Sequence, residues 1–250
     1  MRATFLGTGT SRGVPVIGCD CAVCRSDDPR NKRLRSSLLL ESDVTVVIDT
    51  SVDFRLQMLQ CGVKRLDAVV FTHSHADHIL GLDDVYPLCA RAGRPMPVYA
   101  SPETLKQLRI TFRYLFAENL YPGIPEVDLR PIDGPFTIGQ IEFKPIEVFH
   151  GNMPVLGFRI GDLGYVTDVN RIPEESLERL RGLKFLILDG LRYRPHPSHF
   201  SLSEACEVVE KVKPEATFLI HMCHDVDHEE GNRRLPESVR LAYDGLSLEL

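Results

Sequence analysis

The sequence predicts an α/β protein whose sheets are covered by helices, and three observations lead there. Short β-rich runs recur along the chain. Strands outnumber helices early, and strand–helix alternation strengthens later, which fits helix-covered sheets better than a simple doubly wound sheet. No internal repeat, low-complexity segment or long Gly/Ser/Pro linker divides the chain, so residues 1–250 are expected to form one domain.

The expected strands, in order, are Ala3–Leu6, Ser37–Leu40, Thr45–Ile48, Ala68–Thr72, Val98–Ala100, Ile141–Phe149, Leu156–Ile160, Tyr165–Thr167, Phe185–Leu188 and Thr217–Ile220. Asp53–Cys61 reads as a helix that Gly62 stops. Ser101-Pro102-Glu103 opens another, with a capping hydroxyl, proline at the first position and then an acid. Leu105, Leu108, Phe112 and Leu115 follow at helical spacing, so that helix buries one face. Pro173 to Gly182 reads as a short helix, and Ser201-Leu202-Ser203-Glu204 is a capping box opening a helix to about Val212.

Composition excludes several classes. The 250 residues hold 29 Lys+Arg and 35 Asp+Glu, a net charge of −6, which argues against bulk nucleic-acid or anionic-membrane binding. No apolar run approaches the ~18 residues of a membrane-spanning helix, and Met1–Gly7 lacks the apolar stretch of a signal peptide. The seven cysteines are odd in number and scattered, as expected in a reducing cytoplasm, where clustered thiols bind metal more often than they pair.

The strongest signal is Thr72-His73-Ser74-His75-Ala76-Asp77-His78, directly after the apolar run Ala68–Phe71. In extended chain, residues i and i+2 point the same way, so His73 and His75 can converge on one ion. The chain must then turn towards a helix, which carries Asp77 and His78 to an adjacent ion. Further ligands should come from other strand ends. His150, Asp168 and His221 each follow an apolar strand immediately, and that repeated placement marks them as a set.

A second group, Cys19-Asp20-Cys21-Ala22-Val23-Cys24, supplies three thiolates for a tetrahedral zinc site. His224 is the first candidate for the fourth ligand and Cys223 the second. Cys61, Cys89 and Cys206 are isolated and read as core residues. Gly7-x-Gly9 lacks the rest of any nucleotide-binding loop and reads as a turn.

His73-x-His75-x-Asp77-His78 with His150, Asp168 and His221 downstream resembles the metallo-β-lactamase-fold hydrolases. The resemblance implies a four-layer αβ/βα sandwich with a dinuclear site at the sheet edge. It implies one metal held by His73, His75 and His150, a second by Asp77, His78 and His221, and Asp168 bridging them. The lactamases usually carry Cys where Asp168 stands; Asp favours the phosphodiesterase, ribonuclease or thioesterase branches. Phe5-Leu6-Gly7-Thr8-Gly9-Thr10-Ser11, the Cys19/Cys21/Cys24 group and His221-x2-His224 narrow this. Together they resemble the phosphoribosyl cyclic phosphate phosphodiesterases of the carbon–phosphorus lyase pathway. In that family the three cysteines and a histidine placed like His224 bind an extra, structural zinc. The pyrroloquinoline-quinone-associated proteins share the cysteine cluster but often have degenerate active-site ligands; here the set is complete, which favours an enzyme.

Asp189–His199 is a long polar loop after a strand, where α/β proteins place function. By resemblance, His199 is the general acid on the leaving alkoxide, with His196 the alternative. Arg192 and Arg194 could meet substrate phosphate or simply be solvated. Asp49 fits support of a metal histidine and helix capping equally well. The expected activity is therefore that of a dinuclear phosphodiesterase acting on a small, cyclic or linear phosphodiester. Two manganese or zinc ions ~3.5–4 Å apart lower the pKa of a bridging water, whose hydroxide attacks phosphorus. His199 and the metal-site Asp77 are the catalytic candidates. The rival activities are thioesterase or lactonase, RNA 3′-processing nuclease and a non-enzymatic accessory role in cofactor synthesis. The RNA nucleases usually carry a long basic arm that has no counterpart here. The oligomeric state is left open by the sequence, a homodimer included.

Overall fold

The computed structural model describes residues 1–117 and 123–250. Its strands are β1 (Arg2–Gly7), β2 (Ser37–Glu41), β3 (Thr45–Ile48), β4 (Ala68–Val70), β5 (Met96–Ala100), β6 (Val127–Pro131), β7 (Phe136–Ile138), β8 (Ile141–His150), β9 (Met153–Ile160), β10 (Leu163–Val166), β11 (Phe185–Asp189), β12 (Ala216–Ile220), β13 (Val239–Leu241) and β14 (Ser247–Glu249). Its helices are α1 (Ala22–Arg25), α2 (Phe54–Gln60), α3 (Ala76–Ile79), α4 (Tyr86–Ala92), α5 (Pro102–Thr111), α6 (Glu174–Arg179), α7 (Leu202–Val212) and α8 (His228–Arg234). Two seven-stranded sheets form, ordered β14-β1-β2-β3-β4-β5-β6 and β13-β12-β11-β10-β9-β8-β7.

Three hydrophobic clusters explain the layering. Leu38, Leu40, Val46, Ile48 and Val70 meet Phe143, Phe158, Tyr165 and Ile187 between the sheets. The alternating residues Leu39, Val47 and Val69 pack outwards with Phe54, Met58, Leu82 and Leu108, which α2, α5 and the 82–85 turn present. On the far side Ile146, Val166 and Leu188 pack against Leu177 of α6 and Ala205, Val208 and Val209 of α7. The result is a four-layer α/β sandwich. Strands buried on both faces must be apolar at every position, which is why they read as unbroken hydrophobic runs.

Helix ends follow their caps. Ser201 accepts from Glu204 N while the Glu204 carboxylate accepts from Ser201 N, closing the capping box. Ser101 caps α5 through Thr104 N, and Gly62, at φ 64°, follows α2. The strands missing from the sequence reading, β6, β7, β13 and β14, are short pieces at or beside sheet edges, where one exposed side removes the hydrophobic signal. β4 ends at Val70 rather than Thr72 because Thr72 N and Oγ1 both donate to Asp49. The helix expected to reach Gly182 stops at Arg179.

Two sequence expectations are corrected in detail. Cys61 is exposed at the end of α2 rather than buried; Cys89 is buried and Cys206 half-buried. Gly7 and Gly9 permit close backbone approach: a Cβ on Gly7 would lie 2.0 Å from Arg35 O, and one on Gly9 2.9 Å from Arg33 Cβ. Among the described residues no helix is long and apolar enough to cross a membrane.

Candidate metal centre

Topology gathers the donors at one edge. β3 and β4 are parallel, and so are β10, β11 and β12. β8 is antiparallel to β9 and β9 to β10, so β8 runs with β10. Their C-terminal ends carry Asp49, the His73–His78 segment, His150, Asp168, Asp189 and His221. Asp49, Asp168 and His221 adopt left-handed φ of 64°, 51° and 59°. Such residues cost about 1–3 kcal/mol each and cluster at functional sites, because the turn aims the side chain inward.

The expected ligands converge, with Asp168 at the centre. His78 Nε2 lies 3.2 Å from Asp168 Oδ1 and 3.3 Å from Asp77 Oδ2. His221 Nε2 lies 3.3 Å from Asp168 Oδ2 and 3.7 Å from Asp77 Oδ2. His73 Nε2 is 4.0 Å from Asp168 Oδ2, and His73 and His75 group with that carboxylate. His150 sits beside them, its ring 5.0 Å from His75 and 5.9 Å from His73, and it also groups with Asp168 and His199.

Whether metal fits can be judged from the unpaired atoms. The Nε2 atoms of His73, His78 and His221 are buried and lack any hydrogen-bond partner among the described residues. Buried polar atoms are seldom left so, and imidazole nitrogens facing carboxylates without bonding them match a ligand set. The N/O donor chemistry suits zinc, manganese or iron. Burial opposes charge on His78, but Asp168 and Asp49 outweigh it and hold its pKa well above the usual imidazole range. Burial likewise works against Asp168, and His221 and His78 outweigh it, keeping that carboxyl well below its usual range. His73 and His150 are pushed down chiefly by burial, towards the neutral form a metal requires.

Buried carboxylates orient the rings. Asp49 accepts from His78 Nδ1 at 2.8 Å, which fixes the use left open by the sequence. Asp189, given no role from sequence, accepts from His199 Nδ1 at 2.8 Å and from Val169 N at 2.9 Å. It ends a strand as His150 does, so the same placement rule would have found it. The His199 ring lies 4.5 Å from His150 and 4.7 Å from His221.

His199 also lines a cavity of about 340 Å³ with Thr10, Arg12, Arg192, Arg194 and His196. Arg192 donates to the Arg194 and Pro195 carbonyls, and Arg194 reaches Asp225 at 3.3 Å. A larger cleft of about 730 Å³, lined by Ile132, Pro145, Ile146 and Leu156 among others, contains none of the donors.

The cysteine group closes as a second cluster. His224 Nδ1 lies 3.2, 3.6 and 3.5 Å from the sulfurs of Cys19, Cys21 and Cys24. Zinc–sulfur bonds of ~2.3 Å put tetrahedral edges near ~3.7 Å, so four donors at these spacings fit zinc. Cys223 is not in this group; it faces the His199 cavity. The clasp adjoins that cavity, since Val16 and His224 line it too.

A histidine–carboxylate donor set at the edge of a four-layer sandwich defines a metal-dependent hydrolase of the metallo-β-lactamase fold. The chain belongs to the β-lactamase superfamily, whose domain matches residues 44–222. The crystal structure of a new diphosphatase from the PhnP family superposes with a TM-score of 0.93 at 46% identity, over 99% of this chain and 97% of that one. An octanoyltransferase of Porphyromonas gingivalis is 40% identical over 98% of this chain. The chain spans 51% of that protein's length. Zn(2+)-bound PqqB from Methylobacterium extorquens shares the fold, with a TM-score of 0.76 at 19% identity over 100% of each chain.

Proposed function

We propose that this hydrolase is a dinuclear phosphodiesterase acting on a small anionic phosphodiester. The observation that carries the reading is His199: its ring adjoins the Asp168-centred cluster while Asp189 holds its Nδ1. His73, His75 and His150 would hold one divalent ion, Asp77, His78 and His221 the other, with Asp168 shared. When bound, two manganese or zinc ions supply Lewis acidity that lowers the pKa of water and neutralises phosphoryl charge. Asp189 fixes the Nδ1 proton, which leaves Nε2 of His199 to protonate the departing oxygen. Arg12, Arg192 and Arg194 line the same cavity as His199, so they face the leaving-group side and suit a further anionic group there. The Cys19/Cys21/Cys24/His224 cluster would bind a structural zinc that ties the N-terminal loop to the His221 segment.

The test pairs metal quantification with hydrolysis of bis(p-nitrophenyl) phosphate and the cyclic phosphate of a 1,2-diol. About two catalytic-site ions per chain and turnover of both diesters are expected; a fully metallated enzyme inert on both would end the reading. A thioesterase reading draws support from the match to the Porphyromonas gingivalis octanoyltransferase, which covers 51% of that protein. Faster turnover of an octanoyl thioester than of either diester would favour it.

A further inference from the structure

We infer that Asn170 is a positioning residue that registers the His199 loop against the His150 hairpin; this rests on His199 acting as general acid. Residues 190–200 join β11 to α7, and no strand ladder spans them; a single bridge ties Arg192 to Ser201. A general acid must nonetheless be held to within about 0.5 Å of its working position. Hydrogen bonds must therefore fix the loop, and Val169 and Asn170, just after β10, supply several of them.

Asp168 turns the chain at φ 51° and enters the metal cluster. Val169 N donates to Asp189, the partner of His199, and Val169 O accepts from Phe200 N at 2.7 Å. Asn170 then bridges two loops with one side chain. Its Oδ1 accepts from Gly151 N at 2.8 Å, beside His150, and its Nδ2 donates to Pro197 O at 2.9 Å, two residues before His199. Its backbone N donates to Phe149 O at 2.9 Å, which locks it to β8. His150 makes the parallel contact, donating from Nδ1 to Ser198 O at 2.7 Å. The side chain at 170 must accept from one loop and donate to the other, which a carboxamide does and a carboxylate cannot.

Asn170→Asp keeps the acceptor for Gly151 and sets a carboxylate oxygen against the Pro197 carbonyl; Asn170→Ser removes the reach altogether. The leaving group separates a positioning role from general damage. The alkoxide of a 1,2-diol cyclic phosphate needs protonation, whereas p-nitrophenolate leaves without it. For both variants kcat on the cyclic phosphate is expected to fall about 10- to 100-fold with KM little changed. Turnover of bis(p-nitrophenyl) phosphate should stay within about threefold, with metal content at the wild-type level. Equal losses on the two substrates, lost metal, or full activity on the cyclic phosphate would each overturn the inference. His199→Ala is run alongside. If it spares the cyclic phosphate, the acid assignment itself fails; if it is impaired while Asn170→Asp is not, only the role of Asn170 fails.

Discussion

Asp49 and His78 form a fully buried pair, with Asp49 Oδ2 2.8 Å from His78 Nδ1. The contact leaves Nε2 of His78 facing Asp77 and Asp168, so a carboxylate on β3's end sets the direction of a ring on α3. Asp49→Asn would turn an amide nitrogen towards one of its present donors, His78 Nδ1 or Thr72. Metal affinity at the Asp168-centred cluster is expected to fall about 10- to 100-fold. Isothermal titration of metal into the stripped protein reads this; wild-type affinity would show that the pair does not matter for binding.

Asp168→Ala removes the one carboxylate among the described residues that both halves of the cluster share. Loss of at least one catalytic-site ion and of diester turnover is expected. Elemental analysis and kinetics on the same preparation check it, and full occupancy with unchanged turnover would remove Asp168 from the bridging role.

On the proposed function, Cys21→Ser should release zinc from the Cys19/Cys21/Cys24/His224 cluster while the Asp168-centred cluster keeps its ions. Cys21 contributes a sulfur whose pKa is lowered to about 7, first by the backbone N–H of Cys24, so its thiolate is readily available. Zinc per chain should drop by about one and the thermal midpoint should fall. An unchanged zinc count would mean that these thiols bind no metal.

His228 gives an acid limb to stability. Burial, with Arg30 and Arg33 beside it, lowers its pKa from 6.5 to about 4. Between those values the unfolded chain binds a proton that the folded chain does not. The contribution is therefore complete above pH 6.5 and is lost as pH falls towards 4. Denaturation midpoints measured across that window should fall less steeply for His228→Gln than for the wild-type protein. Parallel curves would place the acid sensitivity elsewhere.

Strand-end placement made much of the centre legible in the sequence. A metal-capable side chain at or just past the end of an apolar strand stands out, as His73, His150, Asp168 and His221 do. Asp49 and Asp189 obey the same rule, but a carboxylate after a strand such as Asp49 can equally cap a helix, and Asp189 reads only as the start of a polar loop. Asn170 carries no pattern at all, since its meaning lies in Gly151 and Pro197, which are distant in sequence.

By itself, then, the sequence determined the donor types, their order and the class of fold, because local periodicity and ligand chemistry are written residue by residue. Tertiary structure decided which ring nitrogen each carboxylate holds and that His224, rather than Cys223, faces the three thiols. It also decided that Asp189 stands behind His199. Those relations depend on parallel strands from distant parts of the chain ending at one edge, a geometry that only long-range pairing and the packing of two sheets can set.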